Sequence, residues 1–156
     1  MTEVEWTFKD DSGGLLVVMP TALNILIKYR QMNRLSNEAA GVLIGERRGK
    51  HIIVYEVSEP GDGDIRRRCF VDRRGPHHQL AVDDAFARSS GRLQYLGEWH
   101  THPEDYPSPS SIDIGTWHRN LITKEDMVLM IIGRKGVWAA RKTPERPQQL
   151  LRLLGI

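Results

Sequence analysis

Only one cysteine, Cys69, occurs among the 156 residues. A single thiol excludes an internal disulfide and fits a reducing compartment. Long apolar runs are missing too: the longest lies near Met127–Ile132, far short of the roughly 20 residues that cross a bilayer. Glu3 and Glu5 precede any apolar stretch, the wrong sign for a secretory signal. Charge of one sign is scarce, with a net charge of only +2, so no global drive toward nucleic acid is expected. What is present is ordinary for a folded protein: 40% hydrophobic and 27% charged residues, which argues against disorder and low complexity. A length of 156 residues favours one domain, expected to span 1–156, around a single core. A cytoplasmic protein with no membrane partner is expected.

The basic residues cluster locally at Arg66-Arg67-Arg68 and Arg73-Arg74, with Arg47, Arg48 and Lys50 upstream. Such a stripe suits an acidic partner, or it is a strand edge kept soluble by charge. No aromatic residues alternate with the arginines, so the stacking platform of a nucleic-acid binder is absent and the solvated edge is the simpler reading.

Periodicity sketches the elements. Gly14–Met19 reads as a strand, and Pro20 opens a helical pattern that runs to about Arg34. Ala39–Ile44 and Ile52–Val57 read as a hairpin, Pro60–Asp64 as a loop and Arg68–Asp72 as a short strand. A helix is expected over His77–Ser90, a strand over Leu93–His102 and a helix from Ser110 to about Leu121. Met127–Ile132 and Val137–Arg141 form a second hairpin pattern, and Arg146–Leu154 reads as a final amphipathic helix. Strands and helices intermingle without strict alternation, so the fold class expected is α/β, a mixed β-sheet flanked by helices.

The chemistry concentrates between Gly97 and Asp113. In a strand, side chains two apart share a face, so His100 and His102 emerge together, as two imidazoles must to share one ion. Pro103 ends the strand, and a proline-rich loop leads to a helix whose first turn holds Asp113. Two histidines and a carboxylate leave a fourth position open, as in catalytic zinc sites. Each half has a plainer explanation. An H-x-H is often incidental, and Ser110-Ser111-Ile112-Asp113 also fits a capping box that needs no metal. Their coincidence in one short stretch favours the joint reading.

The run His100-Thr101-His102-Pro103, six residues, then Ser110-Ser111-Ile112-Asp113 resembles the JAMM signature H-[ST]-H-P…S-x-x-D of the MPN/JAB metallopeptidases. Glu38-Ala39-Ala40-Gly41-Val42-Leu43-Ile44-Gly45 resembles the upstream glutamate segment of that family. The resemblance implies a JAB/MPN (cytidine deaminase-like) fold with Zn2+ on His100, His102 and Asp113. It implies Glu38 as the general base and Ser110 as the donor to the oxyanion. Spacing alone ranks Glu98 ahead of Glu38, because Glu98 shares the strand face of the histidines. Glu98 could equally orient an imidazole.

The wording Leu96–Pro103 is similar to the JAB peptidases of CBASS anti-phage operons and integrative/conjugative elements. That implies an isopeptidase acting on a ubiquitin-like conjugate. The conjugated protein would be a cyclic-nucleotide synthase (CD-NTase), attached to targets by a ligase of the ubiquitin-activating and -conjugating type. The partner implied is a protein with an extended C-terminal tail, bound as an added strand. Asp62–Pro76 and Pro103–Pro109 are the expected contact segments. The alternatives are processing of a ubiquitin-like or sulfur-carrier protein, and a noncatalytic MPN scaffold, although the scaffold modules lack the residues found here. A zinc nucleobase deaminase would need P-C-x-x-C, which one cysteine cannot supply. Cys69 reads as a plain strand thiol, His77 and His78 as surface or capping residues, and His118 as exposed or supporting.

Overall fold

In the computed structural model, residues 4–121 and 124–156 are described. The order is β1 (Trp6–Lys9), β2 (Leu15–Val18), α1 (Pro20–Lys28), β3 (Ala40–Arg48), β4 (His51–Val57), β5 (Ile65–Arg67) and β6 (Phe70–Asp72). It continues with α2 (His77–Arg88), β7 (Gln94–Thr101), α3 (Ser111–Asn120), β8 (Met127–Ile132), β9 (Val137–Thr143) and β10 (Arg146–Gly155).

The sheet is mixed, as expected, but it closes on itself. The strands run β1-β10-β9-β8-β7-β3-β4-β2, and β2 pairs back with β1. The parallel pairs β2–β4 and β7–β8 each need a long connection, and the second of these contains α3. Strands β5 and β6 stand apart as a two-stranded hairpin. Among the described residues, no helix is long and apolar enough to cross a membrane.

Strand β8 is buried at all six positions. Val128, Met130 and Ile132 join the main core, while Leu129 and Ile131 pack beneath Trp117 of α3. That two-sided burial is why its sequence is uninterrupted Met-Val-Leu-Met-Ile-Ile. Burying each such side chain stabilises the fold by about 1.5–3 kcal/mol. Strand β3 divides likewise, with Leu43 in the main core and Val42 and Ile44 against Ala85 of α2.

Two expectations are corrected. Residues 146–154 are not a helix; they form β10, which bridges β9 and β1 and closes the barrel. Pairing on both sides satisfies a row of backbone groups that no local propensity reports, and only Leu153 is fully buried while Leu154 is 63% exposed. Strand β1 was not legible, and it owes its form to the β2 and β10 partners. Helix α1 ends at Lys28, not near Arg34, because the fully buried Gln31 draws the chain inward. The short strand expected over Arg68–Asp72 is the second arm of the β5–β6 hairpin.

Candidate metal centre

A bulge in β7 aims the two histidines. Leu43 pairs with Gly97 and Ile44 with Tyr95, which leaves Leu96 unpaired. The extra residue resets strand parity: Leu96 and Trp99 both enter the core, while Glu98 and His100 face outward into a cleft. Gly97 has φ 149°, and a Cβ there would overlap the carbonyl oxygen of Val128. Pro103 ends the strand, and Ser110 caps α3, whose first turn carries Asp113.

Asp113 meets both histidines. Its Oδ1 lies 3.3 Å from His100 Nε2 and its Oδ2 lies 3.2 Å from His102 Nε2, while the two Nε2 atoms are 3.0 Å apart. The edges of a tetrahedral zinc shell with bonds of ~2.0–2.1 Å are about 3.3–3.4 Å, so the three residues fit a small cation. The capping box is also present: Asp113 N donates to Ser110 Oγ at 3.0 Å, and Ser110 N donates to Asp113 Oδ2 at 2.8 Å. Capping and ligation therefore do not compete for Asp113, because its two oxygens serve both. Despite the desolvation of burial, the two imidazoles beside it hold its carboxyl well below the usual carboxylate range, in the charged form a cation needs.

Glu38 arrives by sheet register. His100 pairs with Ala40 across β3–β7, so Glu38, two residues earlier, falls on the same face beside His102. Burial pushes its carboxyl up to about 7; His102 opposes the shift, and the charges of Asp113 and Glu104 add to it. A carboxyl that exchanges its proton near neutral pH suits general acid–base work. Glu98 does share the histidine face, but Arg73 holds it at 3.0 Å. That ion pair ties the Glu98 carboxylate to the hairpin rather than to the histidines.

Glu104 was missed as a site residue. Its Oε1 accepts from His102 Nδ1 at 2.7 Å, which directs the Nε2 lone pair toward the cup, the usual support for a metal-bound histidine. The signal available was a carboxylate two residues past the second histidine, across a proline.

Around these groups lies a cleft of about 750 Å3, walled by Cys69–Arg73 of the β5–β6 hairpin on one side and Ile112–Leu121 of α3 on the other. Cys69 is exposed on its rim. The arginine stripe is less solvated than expected. Arg66 Nε donates to Glu38 O at 2.8 Å, and Arg73 is taken by Glu98. His118 does not join the cup.

Among the described residues, a second cluster places Asp64, His77 and His78 within 4.8 Å. The expectation of a surface role fails for His78, which is 1% exposed. Its Nδ1 is 2.6 Å from Ser58 Oγ and its Nε2 is 2.8 Å from Asp64 Oδ2. Asp64 also accepts from Gly61 N and Gly75 N. His77 Nε2 donates to the carbonyl of Glu59 at 2.7 Å, so that nitrogen carries a proton and cannot ligate. This cluster is a hydrogen-bonded clasp at the base of the hairpin, not a metal site.

The family of prokaryotic homologs of the JAB domain matches residues 21–149. The chain belongs to this JAB family. A Vibrio cholerae serotype O1 protein named CD-NTase/cGAS isopeptidase is 55% identical over 145 residues, covering 93% of each chain. An Escherichia coli protein of the same name is 46% identical over 138 residues and covers 88% of each. A Desulfitobacterium hafniense protein solved in solution shares the JAB-like fold, with a TM-score of 0.62 at 19% identity over 86% of this chain and 87% of that one. The α/β class of the JAB domain is thereby established, with few helices around the barrel-like sheet.

Proposed function

We propose that this JAB-family chain is a zinc-dependent isopeptidase of the CBASS type. It would release a CD-NTase, conjugated through its C-terminus, from target amines in the cytoplasm, with residues 1–156 acting as one catalytic domain. The observation that carries the reading is the shared cleft: the His100–His102–Asp113 cup and the buried Glu38 open into one groove. The names of the 55% and 46% identical relatives support the substrate.

His100, His102 and Asp113 would hold the zinc. When bound, zinc acidifies water and polarises the scissile carbonyl. Glu38, with its carboxyl near 7, takes a proton from the attacking water and delivers it to the departing lysine amine as the C–N bond breaks. The Ser110 hydroxyl accepts from Asp113 N and retains its own hydrogen, which it donates to the oxyanion; such donors contribute about 3 kcal/mol. An extended tail would lie along the outer edge of β6 in the β5–β6 hairpin, since Arg67 of β5 already accepts from Glu38 N.

The test uses a synthetic CD-NTase tail peptide joined through its C-terminal carboxyl to a lysine ε-amine. The wild type should cut at the end of the tail. Glu38→Gln should lose roughly 100-fold or more in kcat, whereas Glu98→Gln should keep most of it. Turnover that survives exhaustive chelation, or loss in Glu98→Gln with full activity in Glu38→Gln, would refute the mechanism.

A further inference from the structure

The proposed chemistry leaves two fully buried polar side chains beside the site without a role, Gln31 and Thr101. Gln31, on the loop after α1, is fully buried and uses both ends of its amide. Its Nε2 donates to Ser36 O at 3.2 Å and to Arg68 O at 2.8 Å. Its Oε1 accepts from Thr101 Oγ1 at 2.9 Å. Thr101 sits between the two site histidines, is itself fully buried, and accepts from Ala39 N at 2.9 Å. Thr101 N donates to Ala39 O at 2.9 Å. One residue upstream, Glu38 N donates to Arg67 O at 2.7 Å, and Arg66 Nε donates to Glu38 O at 2.8 Å.

These bonds close a ring. It passes from Gln31 to Arg68 of the hairpin turn, along the backbone to Arg67, across to Glu38 and Ala39, then through Thr101 back to Gln31. The ring joins three parts that the reaction needs in register: the hairpin that walls the cleft, the strand that carries the histidines, and the carboxylate that moves the proton. A carboxylate reached through a loop has few other restraints, and a buried amide bonded through both its nitrogen and its oxygen holds its partners in one arrangement.

Resting on the reaction assigned above, we propose that Gln31 and Thr101 are positioning residues. They act through the backbone of Ala39 and Arg68 to hold Glu38 against the metal cup and the hairpin against both. Neither touches substrate. Substrate seated on the hairpin therefore bears on the placement of Glu38 through this ring.

Four variants test it on the tail–lysine conjugate and by amide hydrogen exchange: Gln31→Leu, Gln31→Glu, Thr101→Val and Thr101→Ser. Gln31→Leu and Thr101→Val should lower kcat by roughly tenfold to a hundredfold, with KM within about twofold. Exchange at Glu38 and Ala39 should quicken by about tenfold, while Val128–Ile132 keep wild-type protection. Thr101→Ser, which retains the hydroxyl, should restore both readings, and Gln31→Glu, which retains only the acceptor, should fall between. Wild-type kcat in Gln31→Leu would overturn the proposal. So would a Thr101→Ser as impaired as Thr101→Val, or exchange that rises equally in β8, since each marks a role in stability alone. A wild type that fails to cleave would refute the assigned reaction and the positioning role with it; the exchange data report on the ring independently of turnover.

Discussion

Asp113 does two jobs with two oxygens, and this economy shapes the site at the residue scale. The helix cap and the metal cup share one side chain, so the cup is built wherever the helix starts. Glu104 is the counterpart on the histidine side, bonded to His102 at 2.7 Å. Removing such an imidazole partner typically weakens metal binding by about 10–100-fold. Glu104→Ala should therefore lose zinc affinity in that range, read by competition against a chromophoric chelator, while Glu104→Gln loses less. Equal affinity in all three proteins would show that Glu104 does not orient His102.

At the scale of elements, the bulge in β7 decides which side chains meet the cleft. Without the extra residue at Leu96, strand alternation would carry His100 to the same side as Leu96, into the core. Gly97 permits the bulge because β8 passes too close for any side chain, and β8 is a fully buried strand that cannot yield. Gly97→Ala should cost on the order of 3 kcal/mol or more and appear as a sharply lowered Tm or failure to fold. Gly155→Ala, where a Cβ meets nothing, should be close to neutral. A Gly97→Ala protein with wild-type Tm would mean that the strands part more easily than their packing implies.

For the whole molecule, pH acts through the clasp that ties the hairpin to the barrel. Burial holds the His78 imidazole below its ordinary value, with Asp64 opposing the shift and His77 and Arg73 adding to it. Asp64, desolvated yet hydrogen-bonded by Gly75 N, His78 and Gly61 N, is held below the usual carboxylate range. Both groups bind protons more readily in the unfolded chain, so their contribution is present at neutral pH and is lost on acidification. For His78 the loss begins as pH falls through about 6.5; for Asp64 it comes below about 4. Glu38, raised to about 7, gains stability over the same range and opposes them, so the clasp is read as the extra drop in Tm between pH 7.5 and 5 that the wild type shows relative to His78→Gln at constant metal loading. His78→Gln should be less stable at pH 7.5 and show a shallower drop; an unchanged slope would remove His78 as a cause.

The local chemistry was legible in the chain. The strand with its paired histidines, the proline stop, the capping serine and Asp113 all follow from side-chain alternation and helix-start rules that act within a dozen or so residues. Most strands and all three helices were legible for the same reason. Glu38 could be named only by resemblance, because its place beside His102 comes from pairing between β3 and β7, whose partners lie some sixty residues apart. That same long-range pairing turned residues 146–154 from an apparent helix into the strand that closes the barrel, and it gathered Gln31, Arg68 and Thr101 into one ring. Local patterns made His100, His102 and Asp113 candidates for one site, because side chains two apart in a strand share a face and a capping serine fixes the first helical turn. Tertiary structure decided the setting of each carboxylate, since Arg73 pairs with Glu98 and burial raises Glu38, through contacts that are not near in sequence.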